Sequence, residues 1–262
     1  MKMTGNIILI TGGTSGIGRA LAVEFHKLGN QVIVAGRRKE LLDSVVAENP
    51  GMKSLMLDVR DTATLKNFVT QIASQFPKLN GLFNVAGIAQ LENLNISPFD
   101  LNVAEATVET NLMAPIRLTA ALLPLLKSQP ESTIMNVTSG LAFLPLAIAP
   151  TYCATKAALH SYTESLRYQL KDSPVQVLEL IPPYVATELM GEHQTRDPHA
   201  MPLGEYIAEV MEILKTRPQA QEICVKRVNS LRLAAEQGQE KYQRQFIELN
   251  FFLARLANDT KH

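Results

Sequence analysis

Short aliphatic segments alternate with longer amphipathic segments along this chain, and this alternation limits the possible folds more than any other feature of the sequence. The strand candidates are residues 7–10, 31–35, 53–57, 81–85, 133–137, 175–181 and 222–225. The helix candidates are residues 17–28, 39–48, 62–76, 103–128, 150–170 and 203–215. Such alternation is typical of parallel strands joined by crossover helices. We therefore expect an α/β, doubly wound fold with a single parallel seven-stranded sheet and helices on both faces.

Length and charge limit the domain organisation and the partners. A chain of 262 residues is long for one domain, but α/β folds of this size commonly form a single unit. We expect one domain over residues 1–262, with a helical C-terminal tail from about residue 229. Lys plus Arg and Asp plus Glu both number 25, so there is no basic surplus for a phosphate backbone or an anionic membrane. We predict neither a nucleic-acid nor a membrane partner.

The sequence shows neither a targeting signal nor a metal-binding pattern. The first apolar segment is too short for a signal-peptide core, so we predict a cytoplasmic location. Cys153 and Cys224 lack CxxC or His/Cys ligand spacing, and we expect two small buried residues and no bound metal. The five histidines show no metal spacing either, and surface or packing roles are expected for them.

A glycine-rich turn follows the first strand candidate and leads into the first helix candidate. It reads TGGTSGIG over residues 11–18. Glycine allows positive φ angles and a close approach of pyrophosphate to the backbone, and the helix N-terminus adds free N–H groups and positive potential. We predict a dinucleotide phosphate site, whereas a plain tight turn is the alternative. The residues predicted to hold the phosphates are Gly12, Thr14, Ser15, Gly16, Ile17 and Gly18.

The glycine spacing resembles the TGxxxGxG motif of the short-chain dehydrogenase/reductase family. The resemblance extends from about residue 6 to residue 187, and within the family the chain looks most like the bacterial DltE-like oxidoreductases. It implies a Rossmann fold, a nicotinamide dinucleotide and a homodimer or homotetramer. Asp58 is similar to the family's adenine-contacting aspartate, and NVAG at residues 84–87 is similar to its NNAG. The further cofactor-binding residues that the resemblance implies are Asp58, Val59, Asn84, Ala86, Gly87, Tyr152, Lys156, Val185 and Thr187.

The end of the second strand candidate bears on the choice of cofactor. In NAD-preferring proteins with this kind of sheet, an acidic residue at that position binds the adenosine ribose and repels a 2′-phosphate. This chain has Arg37 and Arg38 instead, and two guanidinium groups can hydrogen-bond a phosphate. We predict NADP(H), with NAD less favoured. Two solvated arginines opening a helix are the alternative.

Tyr152 and Lys156 form a Tyr-x-x-x-Lys motif in the fifth helix candidate. Carbonyl reduction needs an acid beside the oxygen, and tyrosine with a pKa of about 10 is a poor one unaided. Lys156 lies one helical turn further on the same face, where a cation favours the phenolate and should lower the tyrosine pKa. We predict Tyr152 as the acid/base. In the family that the motif resembles, the lysine also binds the nicotinamide ribose.

Ser139 and Asn111 complete the predicted catalytic set. Ser139 lies just past a strand candidate, where its hydroxyl can position the substrate oxygen. Asn111 lies inside a long apolar helix candidate, an unfavourable place for an amide without partners. Asn111, Ser139, Tyr152 and Lys156 match the family's tetrad in order, and there the asparagine supports a proton relay through the lysine. An amide that is merely paired with its neighbours is the alternative for Asn111.

Apolar residues are predicted to line the substrate side. They are Leu141, Phe143, Leu144, Tyr184, Leu189 and Met190, and they favour a hydrophobic ketone or secondary alcohol over a sugar. Pro183 replaces the family's glycine and stiffens the turn before Tyr184. Residues 188–202 suit either a lid or a disordered surface loop. The apolar stripe of the tail, expected to pack on its own domain or on a second subunit, comprises Phe246, Leu249, Phe251, Phe252, Leu253 and Leu256.

Three functions follow from these features. The first is an NADP(H)-dependent oxidoreductase that transfers hydride between nicotinamide and a hydrophobic carbonyl or secondary alcohol. The second is a catalytically silent NADP-binding regulator, and the third is an extended-type epimerase or dehydratase, which also uses Tyr and Lys. The glycine spacing argues against the third. The intact predicted tetrad argues against the second, because a regulator needs no proton path.

Overall fold

The computed structural model describes residues 1–95, 98 and 100–259, and it describes side chains as far as Phe251. Of the predicted tail stripe, the side chains of Phe252, Leu253 and Leu256 lie outside this part, as does His262. Within the described residues, no helix combines the length and the apolar character needed to cross a membrane.

Seven parallel strands form one sheet. They are β1 (Ile7–Thr11), β2 (Gln31–Gly36), β3 (Lys53–Met56), β4 (Gly81–Asn84), β5 (Ser132–Val137), β6 (Val175–Ile181) and β7 (Glu222–Cys224). Their order is β3-β2-β1-β4-β5-β6-β7, and each neighbouring pair is parallel. The strand order therefore reverses at β1, with β2 on one side of it and β4 on the other. In such sheets a crevice opens at this reversal, between the carboxyl ends of β1 and β4. The predicted doubly wound Rossmann fold is confirmed.

The helices cover both faces of the sheet. They are α1 (Gly16–Lys27), α2 (Lys39–Glu48), α3 (Thr62–Gln75), α4 (Asn102–Val108), α5 (Ala114–Lys127), α6 (Pro150–Gln169), α7 (Leu203–Thr216), α8 (Asn229–Arg232) and α9 (Gln239–Asp259). The single helix predicted over residues 103–128 is α4 and α5 joined by a π-helical turn, Glu109–Met113. A π turn depends on tertiary contacts, and such turns are frequent at functional sites.

Strand periodicity divides the core into two layers. Because successive strand side chains point to opposite faces, Ile8 and Ile10 of β1 enter one cluster and Leu9 enters the other. The first cluster contains Phe25 of α1 and Tyr206 of α7. The second is closed by α3, α5 and part of α6. Burial on both faces explains why the central strands are almost continuously apolar.

Candidate active site

The glycine-rich turn has the geometry of a backbone cradle. Gly12 has a φ of 66°, and a Cβ there would lie 2.8 Å from the Cα of Ala86. A Cβ on Gly18 would lie 2.3 Å from the carbonyl oxygen of Gly12, so the turn and the first turn of α1 touch directly. Thr11 ties this turn to the end of β4, because its Oγ1 accepts hydrogen bonds from the N–H groups of Val85 and Ala86, both at 3.1 Å. Ser15 gives α1 no side-chain cap, so the N–H groups that begin this helix are available to a ligand in the crevice.

Arg38 lies beside this cradle. Its Nη2 is 3.5 Å from the Oγ of Ser15, the residue that precedes α1. Arg37 is exposed, and its charge acts on Asp58 at the end of the neighbouring strand. Burial would raise the pKa of Asp58, but hydrogen bonds from Arg60 and the charges of Arg60 and Arg37 outweigh burial and lower it. The two arginines thus flank the same rim of the crevice.

Tyr152, Lys156 and Ser139 converge at the carboxyl end of β5. Tyr152 and Lys156 lie on one face of α6 and are only 8% and 5% exposed. The hydroxyl of Ser139 is hydrogen-bonded to Tyr152 and accepts the N–H of Leu141 at 3.1 Å. The Nζ of Lys156 donates to the carbonyl oxygen of Val137 at 2.8 Å and lies 5.7 Å from the centre of the Tyr152 ring. The structure therefore brings three of the four predicted catalytic residues into direct proximity.

The pKa values of Tyr152 and Lys156 differ from the expectation. Burial raises the pKa of Tyr152 to about 12, although the hydrogen bond with Ser139 opposes the rise. Burial also lowers the pKa of Lys156 to about 8. The sequence argument, in which the lysine cation lowers the tyrosine pKa, considered the charge and neglected desolvation. In a site this deeply buried, desolvation disfavours both charged forms and dominates.

Asn111 lies in the π-helical turn and is fully buried. Its Oδ1 accepts the N–H of Ile88 at 2.9 Å, and its Nδ2 donates to the Ile88 carbonyl at 2.8 Å and to Thr155 Oγ1 at 3.3 Å. A Cβ on Gly87 would lie 3.4 Å from Asn111 Oδ1 and 3.7 Å from Lys156 Nζ. The amide therefore joins the loop after β4 to α6 beside the lysine. This pairing matches the alternative stated for Asn111, and the relay role stays a prediction.

The segment after β6 is ordered by two side chains. Tyr184 donates its hydroxyl to Asp197 at 3.0 Å, so this hydroxyl is used within the segment. Gln194 is buried; its Nε2 donates to the Val185 carbonyl at 2.7 Å and to Thr187 Oγ1 at 3.3 Å, and its Oε1 accepts the N–H of Met190 at 2.9 Å. A short 3-10 helix, Glu192–Arg196, carries Gln194. Residues 188–202 thus form a folded flap over Val185 and Thr187, and the disordered-loop alternative is wrong.

The predicted substrate-side residues fall into two groups. Leu141 and Met190 pack against a small apolar cluster with Tyr152 that also contains Ala89, Leu146, Ala149 and Cys153. Phe143 instead packs against the main core, with its ring centre 4.6 Å from that of His160. Leu144 is buried and Leu189 is exposed. The structure therefore places Leu141 and Met190 beside the tyrosine, and Phe143 behind it.

Several residues near the site have no recognisable signal in the sequence. Glu92 accepts the N–H and the hydroxyl of Thr151 at 3.0 and 2.7 Å, and it caps the start of α6 next to Tyr152. Asn250 of α9 accepts the N–H of Ala147 and donates to the Pro145 carbonyl, and so fastens the tail to the loop before α6. These contacts span 59 to 105 residues of sequence. Apolar periodicity carries no information about contacts between residues so far apart in the sequence.

Comparisons with known proteins agree with this geometry. The profile described as short chain dehydrogenase matches residues 6–198. "Uncharacterized oxidoreductase DltE" of Bacillus subtilis (strain 168) is 40% identical over 255 residues, which cover 95% of this chain and 98% of that protein. The NADP-dependent 3-hydroxy acid dehydrogenase of Schizosaccharomyces pombe is 31% identical over 233 residues, covering 82% of this chain and 89% of that protein.

A solved structure shows the same fold. The short chain dehydrogenase of Burkholderia cenocepacia J2315, crystallised in complex with NADP, superposes with a TM-score of 0.78 at 25% identity and covers 95% of this chain and 99% of that one. The resemblance expected from the glycine turn and the Tyr-x-x-x-Lys motif is confirmed, including the likeness to DltE. The chain belongs to the short-chain dehydrogenase/reductase family and is an oxidoreductase enzyme.

Proposed function

We propose that the protein is an NADP(H)-dependent oxidoreductase that interconverts a hydrophobic carbonyl compound and its secondary alcohol. The observation that carries the proposal is the meeting of Ser139, Tyr152 and Lys156 at the carboxyl edge of the sheet. The same edge carries the backbone cradle at Gly12. In open α/β sheets ligands bind at this edge.

The residues around the crevice fit a dinucleotide phosphate group. A Cβ at Gly12 or Gly18 would collide with the backbone that forms the cradle, and the N–H groups that begin α1 supply donors for a pyrophosphate. Gln194 supports the backbone of Val185 and the hydroxyl of Thr187, next to Gly16. The cofactor would be held by the cradle residues Gly12, Thr14, Ser15, Gly16, Ile17 and Gly18, by Arg37 and Arg38, by Asp58, Val59, Asn84, Ala86 and Gly87, and by Tyr152, Lys156, Val185 and Thr187.

The side chains of the site supply a proton and a fixed position for the carbonyl oxygen. When bound, the nicotinamide supplies the hydride. Tyr152, with a pKa of about 12, keeps its hydroxyl proton at neutral pH and donates it to the substrate oxygen during reduction. Ser139 orients that oxygen through its own hydroxyl. Lys156, with a pKa of about 8, can take up or release a proton near neutral pH and is the group that restores the tyrosine proton.

The proposed substrate class rests on the apolar residues packed beside Tyr152. Leu141, Leu146 and Met190 are apolar and pack in the same cluster as the tyrosine. Burial of apolar substrate surface against them contributes about 25 cal/mol per Å². A sugar would leave its hydroxyl groups without partners there, which is costly.

Oxidation of NADPH, followed at 340 nm, tests the proposal. The panel should contain medium-chain ketones and aldehydes, a 3-oxo acid suggested by the name of the Schizosaccharomyces relative, and sugars. We expect turnover of the apolar carbonyls and little turnover of the sugars. Tight NADPH binding without turnover of any compound would favour the NADP-binding regulator instead.

Charge reversal at Arg38 tests the cofactor preference. Arg38→Asp removes a charge-assisted hydrogen bond to the 2′-phosphate and adds a repulsive carboxylate, together about 3 kcal/mol or roughly a hundred-fold in the Kd of NADPH. We expect little change in the Kd of NADH. Enhancement of nicotinamide fluorescence measures both constants.

Two further variants complete the cofactor experiment. Arg37→Asp should have a smaller effect, since the charge of Arg37 acts on Asp58, whereas Arg38 lies beside Ser15 at the start of α1. Lys78→Asp is the matched control, because Lys78 is exposed and precedes the amino end of β4, whereas the crevice lies at the carboxyl ends of the strands. An unchanged ratio of the two cofactor affinities in Arg38→Asp would contradict the NADP preference.

A further inference from the structure

A carboxylate lies completely buried beneath the end of β5. Glu179 of β6 has 0% of its surface exposed and pairs in register with Asn136 of β5. An ionised carboxylate at such a depth persists only when it is paired and hydrogen-bonded. In the described part of the chain, its hydrogen bonds come from two side chains. Thr138 Oγ1 donates to Oε1 at 2.6 Å, and His160 Nδ1 lies 3.0 and 2.9 Å from the two oxygens.

Both partners of Glu179 are next to predicted catalytic residues. Thr138 directly precedes Ser139, and the backbone continues the pairing with β6, since the Thr138 N–H donates to Leu180 and the Gly140 N–H to Pro182. His160 follows Lys156 by one helical turn, on the face of α6 that also carries Tyr152. One carboxylate therefore joins the strand end that bears Ser139 to the helix that bears the acid.

The imidazole also packs against the loop beyond Ser139. The ring of Phe143 meets His160 edge-on, at 65° between the ring planes. Arg232 of α8 covers the same Phe143 ring at 4.5 Å and donates two hydrogen bonds to Glu222. The residues that link the buried carboxylate to the tail are thus His160, Phe143, Arg232 and Glu222.

We propose that His160 and Glu179 act as a positioning pair for Ser139, in which the imidazolium neutralises the buried carboxylate and the carboxylate anchors Thr138 at the end of β5. The proposal rests on the proposed function, because it assigns to the pair the alignment of Ser139 with the substrate oxygen. Neither residue touches substrate. Their effect passes through the adjacent backbone.

The charges around His160 favour the imidazolium. The ionisable groups that act on it are Glu164 on α6, Glu179 on β6 and Glu222 on β7. Arg167 and Arg232 act in turn on Glu222, and Cys224 lies within reach of Glu222 and Glu179. The hydrogen bond to Glu179 raises the pKa of His160, and the charges of Glu179, Glu164 and Glu222 add to the rise, against burial. The imidazolium is therefore retained below this raised pKa and is lost as the pH rises through it. Burial raises the pKa of Cys224 to about 12, so it stays a neutral thiol in this range.

Two kinds of variant separate positioning from mere structure. Glu179→Gln and His160→Gln remove one charge each with little change in volume. We expect kcat/KM for carbonyl reduction to fall at least ten-fold at pH 6.5, with the Kd of NADPH within two-fold of wild type. The kcat/KM of Thr138→Val should fall by a similar factor. Thr138→Ser keeps the hydroxyl and should retain activity. His26→Gln is the histidine control, because His26 contacts Pro50 at the far end of α1.

Titration of His160 by NMR tests the pair without any turnover. In the wild type, its midpoint should lie above that of a free histidine, and in Glu179→Gln it should fall below the wild-type value. In the pH profile of kcat/KM, the step that coincides with this midpoint should be absent from His160→Gln. Unchanged titration in Glu179→Gln, or full activity in both charge variants, would overturn the proposal. If the wild type reduces no carbonyl, the proposed function fails, and the titration still decides whether the pair exists.

Discussion

Replacement of Tyr152 by phenylalanine is expected to lower kcat for carbonyl reduction by about a thousand-fold, within the range that a positioned general acid contributes. Phenylalanine keeps the ring that packs with Leu146 and Cys153, and it removes only the hydroxyl bonded to Ser139. The protein should therefore fold normally and bind NADPH within about three-fold of the wild-type affinity. Single-turnover measurement of NADPH oxidation would separate loss of the chemical step from slow release of product.

Tyr162→Phe is the matched control for this experiment. Tyr162 lies on the same helix, is half-buried, and packs against the second core cluster, apart from the small cluster that contains Tyr152. We expect its activity to stay within two-fold of wild type. Comparable activity in Tyr152→Phe and Tyr162→Phe would remove Tyr152 from the reaction, and with it the mechanism proposed above.

The elements that follow from local sequence were predictable. Strand and helix positions follow from apolar periodicity, and most predicted boundaries agree with the structure to within one or two residues. The glycine turn was recognisable because backbone sterics leave few alternatives at Gly12, whose Cβ would collide with Ala86. Motif spacing likewise identified Ser139, Tyr152 and Lys156, since α6 and the end of β5 carry them to one point.

The features that depend on distant contacts were not predictable. Asn111, in the π turn, is paired with the backbone of Ile88 and with Thr155, contacts that the local sequence does not reveal. Glu179 stands in the apolar strand VQVLELI, where its charge could have indicated a buried partner, but nothing in the sequence identifies His160 as that partner. The tyrosine pKa shows the same limit, because its direction depends on how deeply the whole site is buried.

Lys156→Met is expected to abolish most activity and yet to stabilise the fold. The wild-type lysine is buried with a pKa of about 8, below the ordinary 10.5. Each unit of such a shift corresponds to about 1.4 kcal/mol, so carrying the ammonium into the site costs roughly 3 kcal/mol at pH 7. The variant also loses the hydrogen bond to Val137, which offsets about 1 kcal/mol of the stability gained by removing the ammonium. The free energy of unfolding should therefore rise by about 2 kcal/mol, or roughly 5 °C in Tm.

The pH dependence of this gain identifies its cause. Between pH 8 and 10.5 the folded wild type gives up the lysine proton while the unfolded chain still holds it, so wild-type stability rises with pH and the advantage of the methionine variant shrinks. Thermal unfolding of both proteins from pH 7 to 10 measures this convergence, and Lys66→Met, on the exposed side of α3, should show no difference in Tm. A methionine variant less stable than wild type at pH 7, or a gap independent of pH, would show that the lysine is held there without electrostatic cost. The opposite outcome means that the fold gives up stability to keep an ionisable amine beside Tyr152, which is the pattern expected of a proton donor and not of a packing residue.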